Sequence, residues 1–208
     1  EPAGKLEIGS VDTVIKLPVI LSAYNKKYKN VDLTLVTGVS KQLQEDVLHD
    51  RLDGAFITES IQHPELEYHD AFQEELVLVS DRKGASLEQL MEEPFICYSE
   101  GCGYRARLEA WYRDQSISPQ KVMEFGTLET ILGSVTMGLG ITFVPKSVVT
   151  YLKERKLIEC HELPDSYSKV KTVFIRRRNA QLTATLEKFI ETTEHSAREP
   201  LALPSFTT

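Results

Sequence analysis

KLEIGSVDTVIKLPVILSAYNKKYKNVDLTLVTG, residues 5–38, decides the fold. KLEIG (5–9) reads as a strand, and after it Val14, Leu17, Leu21, Tyr24 and Tyr28 recur at helical spacing. Pro18 suits the first turn of that helix and would kink it further in. VDLTLVT (31–37) then reads as a second strand. Strand, helix and strand in this order make a βαβ unit, which implies parallel strands with helices packed on the sheet.

The alternation continues outward. Ser40 is placed to N-cap a helix carrying Leu43, Val47 and Leu48, and GAFIT (54–58) is a third strand. LVLVS (76–80), FICY (95–98), VMEF (122–125), ITFV (141–144) and TVFI (172–175) add five more. Three further helical faces are expected: one from Tyr104, Leu108, Trp111 and Tyr112, one from Leu128 through Leu139, and one from Leu182, Leu186, Phe189 and Ile190. The tail EPLALPSFTT (199–208) has two prolines and no period, so fraying is expected. QEELVLVSDRKG (73–84) reads as a strand leaving one unit and entering another, and TVFIRRR (172–178) as the return. The expectation is an α/β fold of two Rossmann-like lobes with mostly parallel sheets, joined by two crossing strands around a cleft. Residues 1–75 would begin lobe I, 76–172 form lobe II, and 173–208 return to lobe I.

The chain has 208 residues, 31 acidic and 24 basic, for a formal charge of −7. Such a balance argues against direct nucleic-acid binding, which needs an excess of positive surface. Arg176-Arg177-Arg178 follows the apolar Val173-Phe174-Ile175 and reads as a solvated strand end. Cys97, Cys102 and Cys160 are odd in number and lack metal-ligand spacing, which fits a reducing compartment rather than disulfides or structural zinc. No apolar run approaches the ~18 residues of a membrane span, and the N-terminus EPAGKLEIGS shows no signal peptide. A cytoplasmic setting without a membrane partner is expected; a trimmed export product is the alternative.

In such sheets ligands bind at the carboxyl ends of strands. Four junctions qualify: Ser10-Val11-Asp12-Thr13, Thr37-Gly38-Val39-Ser40, Ser99 to Gly103, and Gly126-Thr127. Free N–H groups and a helix dipole favour an anion there, and hydroxyls add donors. Together they suit a small carboxylate, although Ser and Thr at such places also serve as plain N-caps. Asp12 and Glu129 sit at helix starts; if both face the cleft, they select a ligand with donors as well as acidic groups. Arg105 either grips a carboxylate in a two-bond fork or pairs with Glu109 four residues on.

SEGCGYRAR (99–107) admits two more readings. GCGYRA fits the loose dinucleotide pattern, with Glu124 near the ribose-binding position. That fingerprint normally opens a Rossmann domain, whereas this one lies mid-chain behind a turn lengthened by Ser99 and Glu100. Alternatively, Cys102 is a reactive thiol, its pKa lowered by a helix N-terminus and by Arg105. GxSxG, P-loop and HExxH motifs are absent, the five histidines lie in polar contexts, and Glu74-Glu75 and Glu92-Glu93 read as solvated faces. No enzyme activity, cofactor or metal is expected.

The order of KLEIGSVDTVIKLPVILSAYNKKYKNVDLTLVTG, LQEDVLHDRLDGAFIT, EELVLVSDRKG, EEPFICYSEGCGYRARLEAW and GTLETILGSVTMGLGITFVPKSVV resembles the effector-binding domain of LysR-type transcriptional regulators. The resemblance implies a fold like type 2 periplasmic binding proteins and a small effector held between the lobes. It also implies a homodimer or homotetramer whose geometry the effector changes. Implied contacts come from Ser10, Asp12 and Thr13, from Gly38 and Ser40, from Ser99, Gly101, Cys102, Tyr104 and Arg105, and from around Thr127, where Glu129 lies. Family members begin with a winged helix-turn-helix, absent from this chain, so DNA binding is expected only through that part. The peroxide-sensing branch carries a reactive cysteine at the position resembling Cys102, but residues 108–121 hold no resolving partner. The expectation is a non-catalytic, ligand-sensing domain that works by population shift on binding a small anionic metabolite. Its alternatives are thiol redox sensing at Cys102, a transport solute-binding protein, and a nucleotide-dependent enzyme.

Overall fold

The apolar alternation of KLEIG becomes a strand that buries Leu6 and Ile8, β1 (Gly4–Ser10). In the computed structural model, which describes residues 1–58 and 62–198, α1 (Leu17–Lys27) follows with Pro18 in its first turn and Lys26 and Lys27 in its last. Those two cations complement the helix dipole, and Leu17, Ile20 and Tyr24 face the core. β2 (Val31–Thr37) then lies parallel to β1, from Gly4 opposite Val31 to Ser10 opposite Thr37. α2 (Ser40–Leu48) leads to β3 (Gly54–Thr58), parallel to β1 on its other side.

β4 (Leu66–Ser80) runs for 15 residues. Beyond it come α3 (Leu87–Met91), opened by a reciprocal Ser86–Gln89 cap, β5 (Phe95–Cys97), α4 (Gly103–Asp114), β6 (Val122–Glu124) and α5 (Leu128–Thr136). β7 (Thr142–Pro145), α6 (Thr150–Glu154), β8 (Glu159–Glu162), α7 (Asp165–Ser168), β9 (Lys169–Arg177) and α8 (Ala184–Arg198) complete the described chain. The strand order is β2-β1-β3-β9-β4-β7, with β8 also on β4. β5 and β6 pair in parallel, and a bridge from Phe95 to Ile141 sets them beside β7.

Two apolar cores result. One gathers Ile8, Ile20, Tyr24, Phe56, Phe174 and Phe189, with ring centroids of Phe56 and Phe174 5.0 Å apart. The other gathers Leu78, Phe95, Leu108, Trp111, Ile131 and Phe143. Burying each such side chain is worth roughly 1.5–3 kcal/mol, so each lobe has its own driving force. β4 gives Leu66 and Phe72 to the first core and Leu76 to Val79 to the second. β9, antiparallel to it, gives Val170 to one and Val173 to Ile175 to the other. These two strands are the crossing segments, and their ladder is interrupted between Asp70 and Phe72.

The sheet is mixed, not mostly parallel, because both crossing strands run through both lobes and pair antiparallel with β3, β7 and β8. Nine strands are described rather than eight. β8 was missed because ECHE is a half-buried edge with no apolar run. The basic run closes on the chain itself: Arg176 pairs with Glu67, Arg177 with Asp50, and Arg178 donates to the Pro64 and Leu66 carbonyls. The tail 199–208 lies outside the described residues.

Candidate functional site

Parallel register sets Ser10 beside Thr37 and Cys97 beside Glu124. The loops leaving these strand ends therefore emerge in two neighbouring pairs, one per lobe. Between them lies a cleft of about 1050 Å³, lined on one side by Asp12, Gly38, Lys41 and Glu45 and on the other by Tyr98, Ser99, Thr127 and Glu129. A narrow inner recess between Thr13, Ser40, Cys102 and Tyr104 continues it.

Four direct bonds join the lobes across the cleft. Asp12 Oδ2 accepts from the Leu128 N–H at 2.6 Å and from the Tyr98 hydroxyl at 3.2 Å. Burial, more than the neighbouring Asp12 charge, raises the Tyr98 phenol far above its ordinary value. The Thr13 and Tyr104 hydroxyls bond at 2.6 Å in a buried position, where desolvation pushes Tyr104 up to about 12. The Lys41 N–H donates to the Gly101 carbonyl at 3.2 Å.

The glycines around Cys102 now have a reason. Gly101 takes φ +95°, a left-handed conformation that side chains rarely adopt, and a Cβ there would lie 2.8 Å from that of Lys41. A Cβ on Gly103 would lie 2.6 Å from Thr58 Cγ2. Both glycines let lobe II approach lobe I. Cys102 between them is buried. Desolvation raises its thiol above the ordinary value, outweighing the Tyr104 and Arg105 N–H groups and the Arg105 charge. The expected lowering is thus reversed.

Arg105 takes the second of its two readings. Its Nε donates to Glu109 and its Nη1 to Glu124, each at 2.7 Å, and Nη1 also reaches the Tyr98 carbonyl. The guanidinium, its side chain only 11% exposed, is held above its ordinary pKa first by the Glu109 bond. Its fork grips the protein's own carboxylates, which also takes Glu124 away from the ribose role imagined for GCGYRA. Ser10 is buried and donates to the Val11 carbonyl. Ser10, Gly101 and Arg105 stand behind the lining rather than in it. Ser40 does not cap α2; its Oγ accepts from the Thr58 N–H, and Val39 holds the cap position. Thr127 does cap α5, accepting from the Thr130 N–H, and still lines the cleft.

Lys41, Gln42, Glu45, Tyr98 and Phe125 are lining residues that sequence reasoning missed. Lys41 and Glu45, four apart on α2, share a helix face starting at the Gly38 junction. Tyr98 is the last residue of FICY. Reading on from Ser40 into α2 reaches Lys41, Gln42 and Glu45, and stepping back one residue from Ser99 and from Gly126 reaches Tyr98 and Phe125.

Two α/β lobes on a shared pair of strands, with a cleft at the carboxyl ends of strands from both, define the type 2 periplasmic-binding-protein class. A family model, the LysR substrate binding domain, matches residues 1–198, and the chain belongs to that family. The HTH-type transcriptional regulator SoxR of Arthrobacter sp. (strain TE1826) is 51% identical over 195 residues, covering 94% of this chain and 68% of the relative. The regulatory domain of CcmR from Synechocystis PCC6803, solved in complex with 2-PG, superposes with a TM-score of 0.82 at 19% identity, covering 94% of this chain and 98% of that one. The effector binding domain of QuiR, solved with shikimate, gives 0.79 at 16% identity, covering 94% and 97%. Among the described residues no helix is long and apolar enough to cross a membrane.

Proposed function

We propose that this chain is the effector-sensing part of a transcription regulator. A small polar metabolite with an acidic group enters the interlobe cleft, favours one lobe arrangement, and shifts the geometry of a homodimer or homotetramer. DNA is contacted by a helix-turn-helix elsewhere in the full-length regulator. Among the described residues, those of 1–75 and 173–208 make one lobe and those of 76–172 the other. Asp12, Thr13, Gly38, Ser40, Ser99, Cys102, Tyr104, Thr127 and Glu129 face the ligand or the recess beneath it, with Ser10, Gly101 and Arg105 supporting them.

The observation that carries this reading is the cleft itself, built from both lobes at once and crossed by the Asp12–Leu128 bond. A ligand there touches both lobes, so its binding energy differs between lobe arrangements, the one requirement for a shift. The presence of Lys41 and Ser99 in the lining supports an acidic group on the ligand. The small molecules held by the CcmR and QuiR domains support the same use of the fold.

The test is a thermal-shift screen of small metabolites against wild type and Lys41→Gln. A true effector at ~100 times its dissociation constant adds about 2.7 kcal/mol, and Lys41→Gln should reduce that gain. A library in which nothing stabilises the wild type, or a stabiliser indifferent to every cleft substitution, would sink the reading.

A further inference from the structure

The lining of the cleft carries five carboxylates, Asp12, Glu45, Glu100, Glu124 and Glu129, against one ammonium, Lys41. Arg105 balances Glu124 from behind, which leaves four carboxylates facing that single cation. Asp12, Glu45, Glu100 and Glu129 make no ion pair among the described residues. Asp12 is held by two neutral donors, the Leu128 N–H and the Tyr98 hydroxyl, both on Oδ2; Oδ1 receives no hydrogen bond among the described residues.

At α5 and α2, anion-binding groups read from the sequence are, moreover, already in use. The first N–H of α5 is taken by Asp12, and the Thr130 N–H by Thr127. At α2, the Lys41 N–H is taken by Gly101. A plain organic acid would enter a field of its own sign and displace bonds already made. A cleft lined by one sign of charge concentrates ligands of the opposite sign.

We infer that the effector carries a protonated amine as well as its acidic group: a zwitterion of the amino-acid type. This deepens the sensing role proposed above and rests on the cleft being the effector site, which the two-lobed geometry defines independently of the carboxylates. The ligand carboxylate meets Lys41 and the Ser99 hydroxyl. Its ammonium, with N–H donors and positive charge, meets Asp12 Oδ1 and Glu129. Asp12 is then the specificity-determining residue: it supplies charge-assisted acceptance to an amine and repulsion to an acid lacking one.

The test is titration calorimetry on this chain with α-amino acids and their N-alkyl derivatives, each beside its deaminated acid of the same skeleton. The expected result is at least one zwitterion binding ten-fold or more tighter than its deaminated partner. Asp12→Asn keeps an oxygen for the Leu128 N–H, so the fold is retained; it should bring that ratio towards one, with Glu129→Gln lowering it less. Deaminated acids binding as well as the zwitterions, a ratio unchanged in both variants, or no binding from the whole panel would each overturn the inference. The sensing role fails separately: there, binding survives and Lys41→Gln, Asp12→Asn and Glu129→Gln all leave every affinity unchanged. Binding that is lost in Lys41→Gln but gains nothing from the amine overturns only the ligand class.

Discussion

At the scale of single residues, Cys102 shows what the sequence conceals. Its neighbours along the chain, a helix start and an arginine, both favour a thiolate. Folding buries it beneath the opposite lobe and turns Arg105 towards Glu109 and Glu124, and desolvation wins. Cys97 is pushed up to about 12, first by burial, while Cys160 is only half buried. Iodoacetamide at pH 7.5 should therefore modify Cys160 first in the native protein, with Cys97 and Cys102 reacting only when the chain unfolds. Mass spectrometry of the labelled peptides reads the order, and fast labelling of Cys102 would restore the redox alternative. Charge pairing across 19 residues, as between Arg105 and Glu124, leaves no periodic mark in a sequence; Asp12 and Glu129 were legible only because each follows a strand-to-helix junction.

At the scale of elements, apolar periodicity made most of the fold readable. The faces of α4 and α5 bury the residues their spacing indicates, including Leu108, Trp111, Ile131 and Val135. Periodicity failed where an element is covered on one side only. β8 is an edge, and the start of β4 at Leu66 was missed because residues 67–70 are mixed polar positions in the crossing ribbon. Two glycine substitutions separate close approach from mere propensity. Gly103→Ala opens α4 against the short, stiff Thr58 side chain and should destabilise by about 1–3 kcal/mol. Gly133→Ala, exposed inside α5 with nothing near its Cβ, should stabilise by roughly 0.5–1 kcal/mol. Urea denaturation of both variants measures the contrast.

At the scale of the whole molecule, the lobes also meet behind the cleft. Glu74, on the crossing strand β4, accepts from the Ser147 hydroxyl of one lobe at 3.1 Å and feels Lys16 of the other. Burial nonetheless raises its pKa above the ordinary carboxylate value. The folded protein thus keeps a proton that the unfolded chain has released. Glu74 contributes stability that is present below the unfolded pKa and is lost as pH rises through the folded one. Urea midpoints measured upward from about pH 4 should fall more steeply for wild type than for Glu74→Gln; identical slopes would remove Glu74 from this role. The ribbon that carries Glu74 has a mechanical consequence of its own. Two threads laced edge to edge form a strip, and a strip bends across its flat and twists along its length but resists shear in its plane. In the sensing role proposed above, a cleft ligand would therefore be felt along the strip as bending or twisting rather than shear, and the irregularity at Asp70 to Phe72 is where its lacing is interrupted.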